Sequence, residues 1–217
     1  MKQQLAGLAR LLYPDGPWLM RKMAHWRIRI CPFEILISFV KPGASVLDAG
    51  CGNGLFLGLL AGTLPSVNGH GFDSSVSAIL TADRMSLRAQ GLGFRPKLQF
   101  HLRSLYKPWP AGLFDVVSLI DVLHHVPPAR QKAVFQKAIN TVGPGGVFLY
   151  KDMAKRPFLP AAMNRLHDLV VARQWIHYVP VAEADRWAEE IGFVVTHSDT
   201  IYRLWYKHEL RLYQKRS

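Results

Sequence analysis

Two kinds of apolar pattern alternate along the central part of the chain. Short apolar-rich runs bounded by Gly, Pro or polar clusters occur at "SVLDAG" (45–50), "NGHGFD" (68–73), "KLQFHL" (97–102), "FDVVSLIDVL" (114–123) and "GGVFLYKDM" (145–153), and each predicts a strand. Between them lie longer stretches with helical spacing. "LFLGLLAG" (55–62) follows the first strand, and "SVSAILTADRMSLRAQ" (75–90) opens behind a Ser74 or Ser75 cap. "PARQKAVFQKAINTV" (128–142) opens at Pro128 and closes at Gly143. Strand–helix alternation of this kind predicts an α/β fold with a mostly parallel sheet and helices on both faces. The ligand is expected beyond the carboxyl ends of the strands, beside the first one.

The two ends of the chain break this rhythm. Residues 1–44 read as helical, interrupted at Pro14, Pro17, Pro32 and Pro42. After Met153 comes an aromatic-rich, basic insertion, "AKRPFLPAAMNRLHDLVVARQWIHYVP", read as helical. "AEADRWAEEIGF" resumes as a helix, and "FVVTHSDTIY" and "RLWYKHELRLY" close as an antiparallel strand pair. The organisation expected is one domain over 1–217: a helical cap (1–44), a cofactor-binding core (45–152), an acceptor-side insertion (153–183), and a final helix with two strands (184–217).

Composition narrows the class. Apolar residues make up 49% of the 217, enough for a full core, and no segment is low in complexity. The longest apolar runs, such as "EILISFV", are too short to span a bilayer. The N-terminus lacks the apolar core and small-residue cleavage site of a signal peptide and is read as retained. Cys31 and Cys51 form neither a disulfide framework nor a CxxC metal pair, so no metal and a reducing cytoplasm are expected. The net charge of +12 changes the picture, because it calls for an anionic partner or an extended basic face. Residues 1–44 carry seven Lys/Arg against Asp15 and Glu34, and residues 201–217 carry five against Glu209. Arg21, Lys22 and Arg29 are expected on one helical stripe, with Arg27 to the side.

"VLDAGCGNG" (46–54) holds the candidate chemistry. A dinucleotide loop needs GxGxxG, but the closing position is Leu55 read from Gly50 and Leu57 read from Gly52. No Gly-Lys-Ser/Thr follows, which excludes a phosphate loop. Three alternate glycines let a ligand approach main chain, Asp48 precedes them, and Asp73 ends the second strand. A carboxylate at that position accepts both hydroxyls of a ribose. A ligand with a ribose and a cationic, phosphate-free tail fits. The bland alternative is that the glycines serve packing alone and that Asp73 is only a helix cap.

At this point the chain resembles the class I S-adenosylmethionine-dependent methyltransferases. "VLDAGCGNG", "GFD", "FDVVSLIDVLHHVP" and "VGPGGVFLYKD" carry the likeness, in the expected order, over about half the chain. The resemblance implies a Rossmann-like, seven-stranded sheet and S-adenosyl-L-methionine as cofactor, with S-adenosyl-L-homocysteine as product. It implies that Asp48, Gly50, Cys51, Gly52, Asn53 and Gly54 line the methionine part. Asp73 holds the ribose with Ser74 beside it, and Asp121 lies near the sulfonium. The acid that often follows the third strand is absent. Ser104 stands there, leaving adenine to main chain near Leu105.

Methyl transfer from a sulfonium chiefly needs alignment, with a base only where the acceptor loses a proton. His124 and His125 follow the fourth strand and suit that base, His124 slightly ahead; one of the pair could equally be packing. Trp175, His177 and Tyr178, with Arg165 and His167, are candidates for an acceptor pocket. The acceptor is expected to be a small molecule or a lipid, free or on an acidic acyl-carrier protein, with peripheral contact to an anionic membrane at its inner face. A weaker likeness of the insertion to small methyltransferases of lipid, polyketide and aryl-polyene pathways points the same way. RNA or protein methylation is the runner-up, although no nucleic-acid module or Asn-Pro-Pro-Tyr-type motif is present. A cofactor-binding scaffold without catalysis is the non-enzyme alternative.

Overall fold

The computed structural model describes residues 1–217 apart from 17, 95, 96, 155–176, 205 and 217. Its strands are β1 (Ser45–Ala49), β2 (Asn68–Asp73), β3 (Lys97–Leu102), β4 (Phe114–Ile120), β5 (Val142–Met153), β6 (Phe193–Arg203) and β7 (Tyr206–Lys215). They are hydrogen-bonded in the order β3-β2-β1-β4-β5-β7-β6. The chain divides into two compact units, Met1–Val116 and Val117–Ser217.

In the first unit β1 pairs in parallel with β2 from Ser45↔Asn68 to Ala49↔Phe72, and β2 in parallel with β3. Val46, Leu47 and Ala49 are buried, as expected of a strand covered on both faces. The helices are α1 (Lys2–Leu12), α2 (Trp18–Ile30), α3 (Phe33–Ser38), α4 (Leu55–Thr63) and α5 (Val76–Gly91). Close approach decides the glycines of α4. A Cβ at Gly62 would meet Leu8 at 2.5 Å, and one at Gly58 would meet Met85 at 2.6 Å, so α1 and α5 settle against a smooth helix. Ser75 is the N-cap of α5, its Oγ accepting the Ala78 N–H at 3.3 Å. At the other end of the strands, Asp115 Oδ2 accepts both the N–H and the hydroxyl of Ser45, at 2.8 and 2.7 Å.

The second unit contains a 3-10 turn (Leu123–His125), α6 (Pro128–Ile139) and α7 (Val181–Glu189). β5, β7 and β6 are antiparallel neighbours, with an irregularity between Val195 and His197. Aromatic rings fill its core. Phe135 makes edge contacts with Phe148, Tyr150, Trp187 and Tyr213 at centroid distances of 5.1–5.7 Å. Tyr213 donates to Asp185 at 2.7 Å, which satisfies its buried hydroxyl.

Three boundaries differ from the sequence reading. β4 stops at Ile120, because Asp121 takes a left-handed φ of +57° while its N–H bonds to the Lys151 carbonyl. "DVL" therefore belongs to a turn, whose apolar side chains are buried all the same. The helix opened by Pro128 ends at Ile139, where Thr141 bonds back to Ala138 and Lys137, and β5 already runs from Val142 through Gly143. The insertion (153–183) lies largely outside the described residues, but its last three positions open α7.

Candidate active site

β1 delivers the glycine loop. Asp48 is 3% exposed, and beyond it the Gly50 and Cys51 N–H groups both donate to the Phe72 carbonyl, at 2.9 and 3.0 Å. The loop is thereby folded back onto the end of β2. Gly50, Gly52 and Gly54 have φ values of +75°, +54° and +78°, a region that L side chains enter only under strain. A Cβ at Gly54 would also meet the Phe100 ring at 2.9 Å. A side chain at Gly52 would meet nothing within 4 Å of its Cβ, so open space lies beside the main chain. Burial first, then Asp48 and Asp73, push the Cys51 thiol well up, which keeps it neutral and poorly nucleophilic.

Asp73 joins this loop to α5. Its Oδ2 accepts the Gly52 N–H at 3.0 Å and its Oδ1 the Ser75 N–H at 2.9 Å. The helix-cap role belongs to Ser75, and each Asp73 oxygen retains a second lone pair. Exposed Ser74 lines an open depression of ≈ 550 Å³ with Leu102, Arg103, Ser104, Lys107 and Pro108. Ser104 Oγ accepts the Tyr106 N–H at 3.3 Å, and the Leu105 carbonyl accepts the Trp109 indole N–H at 2.9 Å. Where the usual acid is missing, two cations stand instead. Asn53 faces the N-terminal helices: its carbonyl accepts the Tyr13 hydroxyl at 2.8 Å, and its amide donates to Met20 O at 3.4 Å. Burial, followed by Cys51, pushes the Tyr13 hydroxyl well above its usual range, so it stays a donor.

The second unit carries the titratable cluster. Asp121 Oδ1 accepts from Lys151 Nζ at 2.5 Å, and Lys151 is 0% exposed. The pair neutralises an ammonium that could not otherwise be buried. His124 is buried as well. Its N–H donates to Asp152 Oδ2 at 3.2 Å, and its Nδ1 bonds to Asp152 Oδ1. Such a bond fixes the tautomer, with the proton on Nδ1 and Nε2 as the basic nitrogen. His125 is exposed, its ring 4.1 Å from that of His124. The His177 N–H donates to His124 O at 2.8 Å, and the Tyr178 ring lies 6.4 Å from the His124 ring. The Gln131 amide donates to the carbonyls of Leu123 and His177 at 3.1 and 2.7 Å. His124, His125, His177 and Tyr178 are thus gathered together, whereas Trp175, Arg165 and His167 lie outside the described residues. Lys151, Asp152, Gln131 and Tyr13 were missed by sequence reasoning. The only signal available was a charged pair ending the apolar run "VFLY".

The profile of a family described as a methyltransferase domain matches residues 19–198. The chain is 30% identical over 158 residues to a ubiquinone biosynthesis O-methyltransferase of Thiobacillus denitrificans, covering 69% of this chain and 64% of that protein. It spans between 47% and 64% of the length of the first such relatives it matches. Among solved structures, an O-methyltransferase family protein from Burkholderia thailandensis superposes with a TM-score of 0.72 at 22% identity, over 92% of this chain and 59% of that one. Magnesium protoporphyrin IX methyltransferase from Synechocystis PCC 6803, with bound S-adenosylhomocysteine, superposes with a TM-score of 0.71 at 18% identity, over 96% and 93%. At these identities the structural likeness speaks for the fold.

Proposed function

Since the chain belongs to the methyltransferase-domain family, we propose that it transfers a methyl group from S-adenosylmethionine to a hydroxyl of a small, ring-bearing or lipid-like acceptor. The His124–Asp152 pair carries the choice of a hydroxyl. A neutral amine attacks with a lone pair it already holds, whereas a hydroxyl must lose its proton as it attacks, and a histidine held by a carboxylate is built to take it. The names of the ubiquinone-biosynthesis relatives support the same acceptor class.

The residues present fit the cofactor. The left-handed Gly52, with open space on its Cα, provides a bare main-chain approach, and Asp73 keeps acceptor capacity for a diol. When bound, the cofactor supplies a methyl group already activated on a sulfonium. The chain does the rest: Asp73 and the loop bind and orient, Asp152 sets the imidazole, and His124 Nε2 receives the hydroxyl proton. A lipid acceptor, or one carried on an acidic acyl-carrier protein, remains part of the proposal, and the basic ends of the chain support it.

The test compares turnover of a phenolic or catechol acceptor in His124→Gln, Asp152→Asn and His125→Ala, alongside calorimetric titration with S-adenosylmethionine and S-adenosylhomocysteine. The first two variants should lose roughly 10²–10⁴ in kcat with little change in cofactor affinity. His125→Ala should stay near wild type. Undiminished turnover in both His124→Gln and Asp152→Asn would remove the base. Failure of the wild type to bind either cofactor form would favour a non-catalytic scaffold.

A further inference from the structure

Helix α2 presents an uncommon outer face. At about 100° per residue, Ala24 and Ile28 mark its buried side, and the opposite arc holds Trp18, Leu19, Lys22, Met23 and Arg29, with Trp26 and Ile30 half-buried among them. Trp18 is 60% exposed, Leu19 50% and Met23 37%, and Lys22 and Arg29 are exposed too. The Lys22 ammonium sits 4.3 Å above the Trp18 ring, so cation and indole share one spot on the surface. The arc is ordered: Trp18, Arg29 and Lys22 form one edge, while Leu19, Ile30 and Met23 form the other. No acidic residue occurs anywhere in α2. Arg21 does not belong with them, contrary to the single stripe expected from spacing. It lies toward the buried side, and its guanidinium donates to the Pro14 carbonyl at 3.2 Å.

We infer that this face of α2 docks the protein on an anionic phospholipid surface. Phosphate-bearing headgroups match Lys22 and Arg29. The acyl boundary just beneath matches Leu19 and Met23, and Trp18 suits the level between them. Nucleic acid would answer the cations and leave the three large apolar side chains in water. The charge is complementary well beyond the helix, with seven Lys/Arg against two acids in residues 1–44. The face is also tied to the candidate cofactor loop: Met20 O, in the first turn of α2, accepts from the Asn53 amide, and Tyr13 holds the Asn53 carbonyl. Docking here would hold the glycine loop at the surface from which a lipid-like acceptor is drawn. Only that last consequence rests on the methyltransferase reading.

Co-sedimentation of the full chain with vesicles tests the inference. One set contains equal parts phosphatidylglycerol and phosphatidylcholine, the other phosphatidylcholine alone. The wild type should bind the anionic vesicles and leave the neutral ones in solution. Leu19→Ser/Met23→Ser and Lys22→Glu/Arg29→Glu should each lower partitioning at least tenfold, and Lys97→Glu, on β3, should not. Raising salt from about 0.1 M to about 1 M, where the Debye length falls from about 10 Å to about 3 Å, should weaken binding without abolishing it. Calorimetric S-adenosylmethionine binding by each variant shows that it is folded and keeps the two readings apart. Equal binding to neutral vesicles, no binding to either, or variants indistinguishable from wild type would overturn the inference. So would tighter binding of RNA or an acidic carrier protein through the same residues.

Discussion

Asp73 carries more than one duty, and a single substitution shows it. Its carboxylate holds the Gly52 and Ser75 N–H groups and in the proposed reading also accepts the ribose diol. Hydrogen bonds to a charged acceptor are worth about 1.5–3 kcal/mol each, and about 1.4 kcal/mol is tenfold in affinity. Asp73→Ala should therefore weaken S-adenosylmethionine binding more than tenfold by calorimetry while the far-ultraviolet circular dichroism stays native. Unchanged affinity would reduce Asp73 to a loop tether. Asp73 and the three glycines were legible in the sequence because their pattern is local: a strand, a left-handed turn and a helix start. Asp152 and Lys151 were not, because their meaning lies in partners 28 and 30 residues away, His124 and Asp121. Read alone, a charged pair ending a strand looks solvated.

Elements were easier to find than their ends. All seven strands stand close to where the sequence predicted them, most plainly β1 and β4, where burial leaves a strong apolar signature. β4 was drawn too long because the buried Val122 and Leu123 continue the apolar run through a turn that sequence does not distinguish. β2 shows the converse. Sequence gives no reason for its glycines, but a Cβ at Gly71 would meet the Phe100 ring at 2.7 Å and Cys51 Sγ at 2.9 Å. Neither neighbour is the free end of a flexible chain. Gly71→Ala should cost about 1–3 kcal/mol by overpacking, read as a lower midpoint in thermal or denaturant unfolding. Because Cys51 sits in the glycine loop, cofactor affinity should fall along with stability. A variant as stable as wild type would mean that the half-buried Phe100 ring on β3 yields to the added methyl.

At the scale of the whole chain, two carboxylates pull the pH dependence of stability in opposite directions. The hydrogen bonds from the Ser45 main chain and hydroxyl lower the pKa of Asp115. Its contribution is present above its unfolded pKa of about 3.9 and is lost as pH falls through the lower folded value. Burial raises the pKa of Glu209 against the lowering pull of Lys207 and Arg211, and Asp152, its cross-strand partner, adds to the rise. The ionised form is then disfavoured on folding, a cost present above the raised folded pKa and absent below the unfolded one. Glu209→Gln should accordingly raise the thermal midpoint at neutral pH, and the gain should shrink toward zero as pH falls below about 4. A constant gain across that range would assign the effect to packing instead of charge. None of this was visible in the chain's net charge of +12, which reports the sum and not which acids are buried.

Gln131 gives the second unit a consequence of its own. The chain leaves β5 at Ala154, whose N–H bonds to the Lys207 carbonyl at 2.9 Å. It returns at His177, whose N–H is held by His124 O and whose carbonyl is held by the Gln131 amide. Both ends of the stretch 155–176 are thus fastened to strand, turn and helix by main-chain groups, so the fastening at either end is indifferent to the side chains in between. Substitutions at Ala154 or His177 that keep the backbone in place should therefore leave these anchoring hydrogen bonds intact, whereas Gln131→Ala would remove the one to the His177 carbonyl.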